Sequence, residues 1–168
     1  ANYEELTYEG YGPAGSAVII NALTDNKNRT VDYVRNTMRK HGGSLGNSGC
    51  VSFTFTNMGV IAIERTPELP EDAVMEMALD AGADDFIAED DAFIVHTQVS
   101  NFSEVRKYLE NKGLNFFEAQ VEMVPQNKIT LEGDDLAKFN RLIDALNDLD
   151  DVQNVYHNVD LPEEDEEE

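Results

Sequence analysis

Cysteine is all but missing from this sequence: Cys50 is the single one among 168 residues. That excludes an internal disulfide framework and any metal site built from several thiolates. Long apolar runs are missing too, because the longest, Ala17–Ile20 and Val60–Ile63, fall far short of the roughly 20 residues a membrane span requires. No secretory leader is visible, so the expected compartment is the cytosol and no membrane partner is expected. The triplets Asn28-Arg29-Thr30 and Asn101-Phe102-Ser103 then read as accidental glycosylation signals. Positive charge is scarce as well: 12 Lys and Arg face 34 Asp and Glu, for a formal charge of −22. A phosphate backbone repels such a body, so the total alone argues against nucleic acid.

The distribution of charge argues the other way. From Lys27 to His41 five basic residues, Lys27, Arg29, Arg35, Arg39 and Lys40, face one acid, Asp32, for a net of +4, which leaves −26 for everything else. Part of that excess is the tail Glu163–Glu168, which is expected to be disordered and solvated. Hydrophobic residues at 41% suffice for a core, and the length suits one domain or two small ones. The chain opens on Ala1 without a methionine and enters at once a segment, Tyr3–Tyr11, that reads as the approach to a strand. A preceding part of the protein is therefore expected.

Along the chain, Ser16–Leu23 is an apolar, β-branched run, and Asn28–His41 carries Val31, Val34, Met38 and His41 at helical spacing before Gly42-Gly43. That spacing predicts a strand and then a helix. Val51, Phe53 and Phe55 alternate with Ser52, Thr54 and Thr56, which predicts a half-buried strand, with Asn57-Met58-Gly59 turning into a second at Val60–Glu64. Pro70 starts and Gly82 stops a helix over Glu71–Ala81. A hairpin is expected from Phe86–Ala88 and Ala92–Thr97, a helix around Phe102, Val105 and Leu109, and strands at Phe116–Val124 and Ile129–Leu131. Asp134-Asp135 should cap a helix carrying Leu136, Phe139, Ile143 and Leu146, and Val152–Val159 should close the fold as a strand. The order spells two α+β, ferredoxin-like βαββαβ lobes, the second inserted into the first. The expected division is 1–58 with 126–162 as the first lobe, 59–125 as the second, and 163–168 as the tail; a single continuous sheet is the alternative.

The chemistry-bearing patterns are weak. Gly43–Gly49 resembles a phosphate cradle but lacks the Lys-Ser/Thr pair that reaches phosphates and magnesium, so it reads as a flexible helix-to-strand connection. It is not a nucleophile elbow either, because it runs from helix to strand. His41, His96 and His157 fall on separate elements, and the acidic runs lack calcium-loop spacing. No cofactor or metal site is expected, and no oriented base or nucleophile accompanies the carboxylates, so the chain reads as a non-enzyme. Phe53 and Phe55 invite comparison with RNA-recognition sheets, yet the flanking basic and glycine residues are missing and core packing is the simpler reading. More informative is the basic helix. Arg35 and Arg39 are four apart, as are Asn36 and Lys40, while Val31, Val34 and Met38 lie elsewhere, so the cations should project together. A solvated face is the plain alternative, against which stands the contrast of a positive patch on a negative body.

Four ordered segments carry a resemblance. Tyr8-Glu9-Gly10-Tyr11-Gly12-Pro13, Leu23-Thr24-Asp25-Asn26-Lys27-Asn28-Arg29-Thr30, His41-Gly42-Gly43-Ser44-Leu45-Gly46 and Asp151-Val152-Gln153-Asn154-Val155-Tyr156-His157-Asn158 resemble the YebC/PmpR family over most of the chain. Ala14 stands where many members have glycine. The resemblance implies a bacterial cytosolic protein, or an organellar relative, whose basic helical N-terminal domain is absent here. It marks Tyr11, Gly12, Pro13, Asp25, Asn26, Asn28, Gly42, Gly43 and Gly46 as family-motif loop residues. It also implies either a DNA-binding transcriptional regulator, or a relative acting on ribosomal or messenger RNA in translation. Lys27, Arg29, Arg35, Arg39 and Lys40 are the candidate nucleic-acid contacts. A third reading, a small-molecule sensor, comes from fold analogy alone.

Overall fold

The computed structural model describes residues 2–161; the expected disordered tail, 163–168, lies outside the described residues. In chain order the elements are β1 (Glu4–Tyr11), β2 (Ala17–Thr24), α1 (Lys27–Lys40), β3 (Ser44–Leu45), β4 (Phe55–Glu64) and α2 (Glu71–Ala81). Then come β5 (Asp85–Ala88), β6 (Ala92–Thr97), α3 (Phe102–Asn111), β7 (Phe116–Pro125), α4 (Gly133–Asn147) and β8 (Val152–His157). The fold is α+β, as expected, with two four-stranded sheets ordered β3-β1-β2-β8 and β5-β6-β4-β7. The chain divides into two compact units, residues 1–56 with 124–168, and residues 57–123.

The middle unit is a βαββαβ arrangement in chain order. Its sheet places β4 and β6 at the centre, and Ile61, Ile63, Phe93 and Val95 pack with Val74, Ala78, Val105 and Leu109 of α2 and α3 into one core. Phe86 stacks on Phe93 with ring centroids 5.4 Å apart. Asn57-Met58-Gly59, expected as a turn, is instead continuous strand inside β4. Gly59 sits opposite Thr97, and a Cβ there would collide with the Thr97 hydroxyl and the Phe102 ring. The glycine serves close approach rather than chain reversal.

The outer unit reaches the same strand order by a different route. β2, α1 and β3 supply one half and α4 and β8 the other, but the strand between β2 and β3 comes from β1, ahead of them in the chain. The segment read as the approach to a strand thus holds β1, a central strand of the sheet. Two expected strands are absent from it. Val51–Thr54 is a turn, with Ser52–Thr54 in a 3-10 conformation and strand geometry starting only at Phe55. Ile129–Leu131 forms no strand, and Ile129 makes only an isolated parallel bridge to Val159. At α4 the capping position is Glu132, and Asp134 and Asp135 lie in the first turn, where their charge suits the helix dipole. Val18, Ile20, Val34, Met38, Phe139, Leu142 and Leu146 form the core between this sheet and its two helices. The wholly buried side chains on α1 and α4 recur at helical spacing, which is why the exposed faces of both helices could be read from the pattern.

Candidate nucleic-acid interface

α1 is fixed at both ends by side chains or backbone from its own neighbourhood. Asn26 Oδ1 accepts from the Arg29 N–H at 3.1 Å, and Thr24 Oγ1 accepts from the Asn26 N–H at 2.9 Å. At the far end Gly42 takes a φ of +84°, and the Gly43 N–H donates to Met38 O at 2.8 Å. Met38 and Val34 are fully buried. What remains for solvent is the opposite face.

On that face Arg35, Arg39 and Lys40 are exposed, as is Lys27 in the first turn. Arg35 meets Asp32 at 3.5 Å, an exposed pair of the kind worth little, so the guanidinium remains available to a partner. Arg39 and Lys40 sit in the last turn, where cations oppose the negative end of the helix dipole. Arg29 stands apart. Its Nη2 lies 3.0 Å from Asp151 Oδ2 and 3.3 Å from Asp25 Oδ1, with Thr24 Oγ1 also at 3.3 Å. Thr30 Oγ1 donates to the same Asp151 oxygen at 2.7 Å. The Thr30 hydroxyl, and then Arg29 against the opposing effect of burial, hold the Asp151 carboxyl below its ordinary range. Arg29 therefore ties the start of α1 to the residue before β8, and its charge is largely taken up at home.

The family-motif loops meet in two places, and at both the contacts are structural. Gly12 and Gly43 lie together: a Cβ on Gly43 would strike Tyr11 O and crowd the Gly12 Cα, and one on Gly12 would strike Ser16 Oγ. Pro13 flanks Gly42 in the same cluster, and Ala14 adopts a left-handed conformation with φ +58°. Gly46 donates its N–H to Glu9 O at 2.8 Å. At the other place, Asp25 and Asn26 join Asp151 of the C-terminal motif around Arg29, while Asn28 is exposed on α1. At the opposite end of the β2–β8 pair, Asn158 Oδ1 accepts from the Ala17 N–H at 2.9 Å.

Two residues escaped the sequence reading. Glu9, only 7% exposed, accepts N–H groups of Gly49 (2.8 Å), Val51 (3.1 Å) and Ser52 (2.7 Å). Burial by itself would raise its pKa, but these donors outweigh it and hold the carboxyl below 4.5. The glycine-rich loop expected to be flexible is thereby pinned, and Val51–Ser52 turn their amides toward a carboxylate and away from a sheet ladder. Phe53, in consequence, is 74% exposed. The second is Tyr33, 52% exposed among the cations of α1; an aromatic on the polar side of the helical wheel was the signal. The histidines do not gather: His41 caps α1, His96 is in β6 and His157 in β8, where Phe139 packs edge-on at 4.9 Å.

α1 thus presents exposed cations on an otherwise acidic α+β chain. The chain belongs to the TACO1/YebC family: the model of that family's second and third domain matches residues 3–159. A protein named "Probable transcriptional regulatory protein" from Clostridium botulinum (strain Okra) is 51% identical over 162 residues, covering 96% of this chain and 66% of the relative. One of the same name from Thermoanaerobacter pseudethanolicus is 50% identical over 167 residues, or 99% of this chain and 68% of that protein. The crystal structure of a conserved hypothetical protein from Aquifex aeolicus superposes with a TM-score of 0.87 at 38% identity, covering 99% of this chain and 68% of that one. No helix among the described residues is long and apolar enough to cross a membrane.

Proposed function

We propose that this chain is the regulatory part of a DNA-binding transcriptional regulator of the YebC type, acting in the cytosol without catalysis. In this reading most of the grip on DNA lies in a basic N-terminal domain that precedes the chain in the intact protein, and α1 provides a second contact. The observation that carries the reading is the exposed trio Arg35, Arg39 and Lys40 on one rigid helix of an otherwise acidic body. The regulatory names of relatives at about half identity support it. A translation factor that uses the same face on ribosomal RNA is the second reading, favoured by exposed Tyr33, because an aromatic beside cations suits unpaired bases.

Reversing Arg35, Arg39 and Lys40 to glutamate in the intact protein tests this. Exposed charge changes shift stability by no more than about 0.5 kcal/mol each, so the melting curve should stay nearly unchanged while nucleic-acid attachment weakens, most at low salt. A folded triple variant that binds normally at every salt concentration would return the helix to a merely solvated face. Fractionating cells at moderate salt then separates the two readings, the protein travelling with nucleoid in one and with ribosomes in the other. The chain by itself should bind weakly, with a salt slope of about two to four.

A further inference from the structure

Tyr33 lies between two depressions of opposite character and is the residue that lines both. One, a shallow depression of about 560 Å³, is bordered by Asn36, Thr37, Arg39 and Lys40. The other, a cleft of about 410 Å³, is lined by Arg29, Asp148, Leu149, Asp150 and Asp151. Arg29 is already engaged by Asp25 and Asp151 there, so the cleft presents the uncommitted carboxylates of Asp148 and Asp150. A cationic side, an exposed aromatic ring and an acceptor-rich side thus follow one another within the outer unit.

A nucleotide has the matching polarity. Its phosphate is anionic, its base offers a flat face, and adenine, guanine and cytosine carry exocyclic amino donors that uracil and thymine lack. In a duplex both base faces are occupied by neighbouring pairs, so a lone tyrosine can stack only on an unpaired base. We infer that Tyr33 is a stacking platform for one unpaired, amino-bearing base of a single-stranded nucleic acid. Its phosphates lie on the Arg39–Lys40 side and the base edge faces Asp148 and Asp150. This rests on the basic-face reading of α1 and deepens it.

The test uses fluorescein-labelled oligocytidine and oligouridine of about 12 nucleotides, a length within the usual range for one single-strand site, and a duplex of the same length. Anisotropy titrations at low salt compare the chain with Tyr33→Ala, Tyr33→Phe, Asp148→Ala/Asp150→Ala and Arg39→Gln/Lys40→Gln. Tyr33→Ala should weaken oligocytidine binding about tenfold, within the range of base–aromatic stacking, with the salt slope unchanged because no phosphate contact is lost. Tyr33→Phe should bind like the parent, and duplex binding should move by less than about twofold. Oligocytidine should bind about fivefold tighter than oligouridine, the lower end of one base contact, and the Asp148→Ala/Asp150→Ala pair should erase that preference. If Tyr33→Ala binds oligocytidine as well as the parent, or loses duplex binding equally, the stacking site is overturned. Should Arg39→Gln/Lys40→Gln weaken binding while Tyr33→Ala does not, only the stacking inference falls. If that pair changes nothing, or the parent binds none of the probes, the basic-face reading falls with it.

Discussion

Replacing Glu9 by glutamine should loosen the loop after α1 and cost measurable stability, because the change keeps shape while removing charge. Glu9 Oε1 takes the N–H groups of Val51 and Ser52, and Oε2 takes that of Gly49. A glutamine retains one acceptor oxygen, so two of the bonds survive as neutral ones, about half as strong as bonds to a carboxylate. Its amide nitrogen would face the Gly49 N–H, donor against donor. With a charged hydrogen bond worth about 1.5–3 kcal/mol net, the two weakened bonds and the one lost sum to about 3–6 kcal/mol. For a chain of this length each kcal/mol moves the melting temperature by about 2–4 °C, so the variant should melt at least about 6 °C lower at neutral pH. The pH dependence gives a second, independent readout. Because the folded pKa lies below the ordinary 4.5, the carboxylate contributes fully above that value and its contribution is lost as pH falls through the folded pKa. The gap between parent and variant in urea unfolding, followed by far-UV circular dichroism, should therefore be constant from neutral pH down to about 4.5 and close below it. An unchanged melting temperature, or a gap that persists to about pH 3, would refute the claim that Glu9 pins the loop as a charge.

Two further outcomes follow from single residues. Ala14, at φ +58°, bears the left-handed cost of about 1–2 kcal/mol, and glycine would relieve it at an entropic cost of about 0.5–1 kcal/mol. Ala14→Gly should thus raise the urea midpoint, with a net gain of about 0.5–1 kcal/mol, and a lowered midpoint would contradict this. On β7, burial and the neighbouring Glu118 push the Glu122 carboxyl up to about 7, although Gln120 Nε2 donates to both side chains at 3.0 Å. A folded pKa above the unfolded one means stability is lost as pH rises from about 4.5 through 7, so Glu122→Gln should gain about 1 kcal/mol at pH 8, after allowance for solvent screening, and little at pH 5. Equal effects at both pH values would show that Glu122 does not titrate in this way.

The helices were legible because their signals are local. Asn26, Gly42, Pro70 and Gly82 bound α1 and α2 within a residue or so of the expected limits, and the buried stripe of Val34 and Met38 left Arg35, Arg39 and Lys40 on the exposed side. The middle unit was equally legible, since its strands and helices follow one another in chain order. In the outer unit, by contrast, alternation at Val51–Phe55 pointed to a strand, yet a carboxylate more than 40 residues earlier claims those amides. β1 looked peripheral, but it sits at the centre, paired with β2 on one side and β3 on the other. Arg29 counted as one of five cations until Asp151, 122 residues away, took up its charge. Periodicity and caps record how a segment meets solvent and core, and so the sequence by itself determined the helices and the exposed basic face of α1. Which distant backbone or carboxylate satisfies a given donor is set only when the sheet closes, and that was left to the tertiary structure, because a hydrogen bond depends on separation in space and not along the chain.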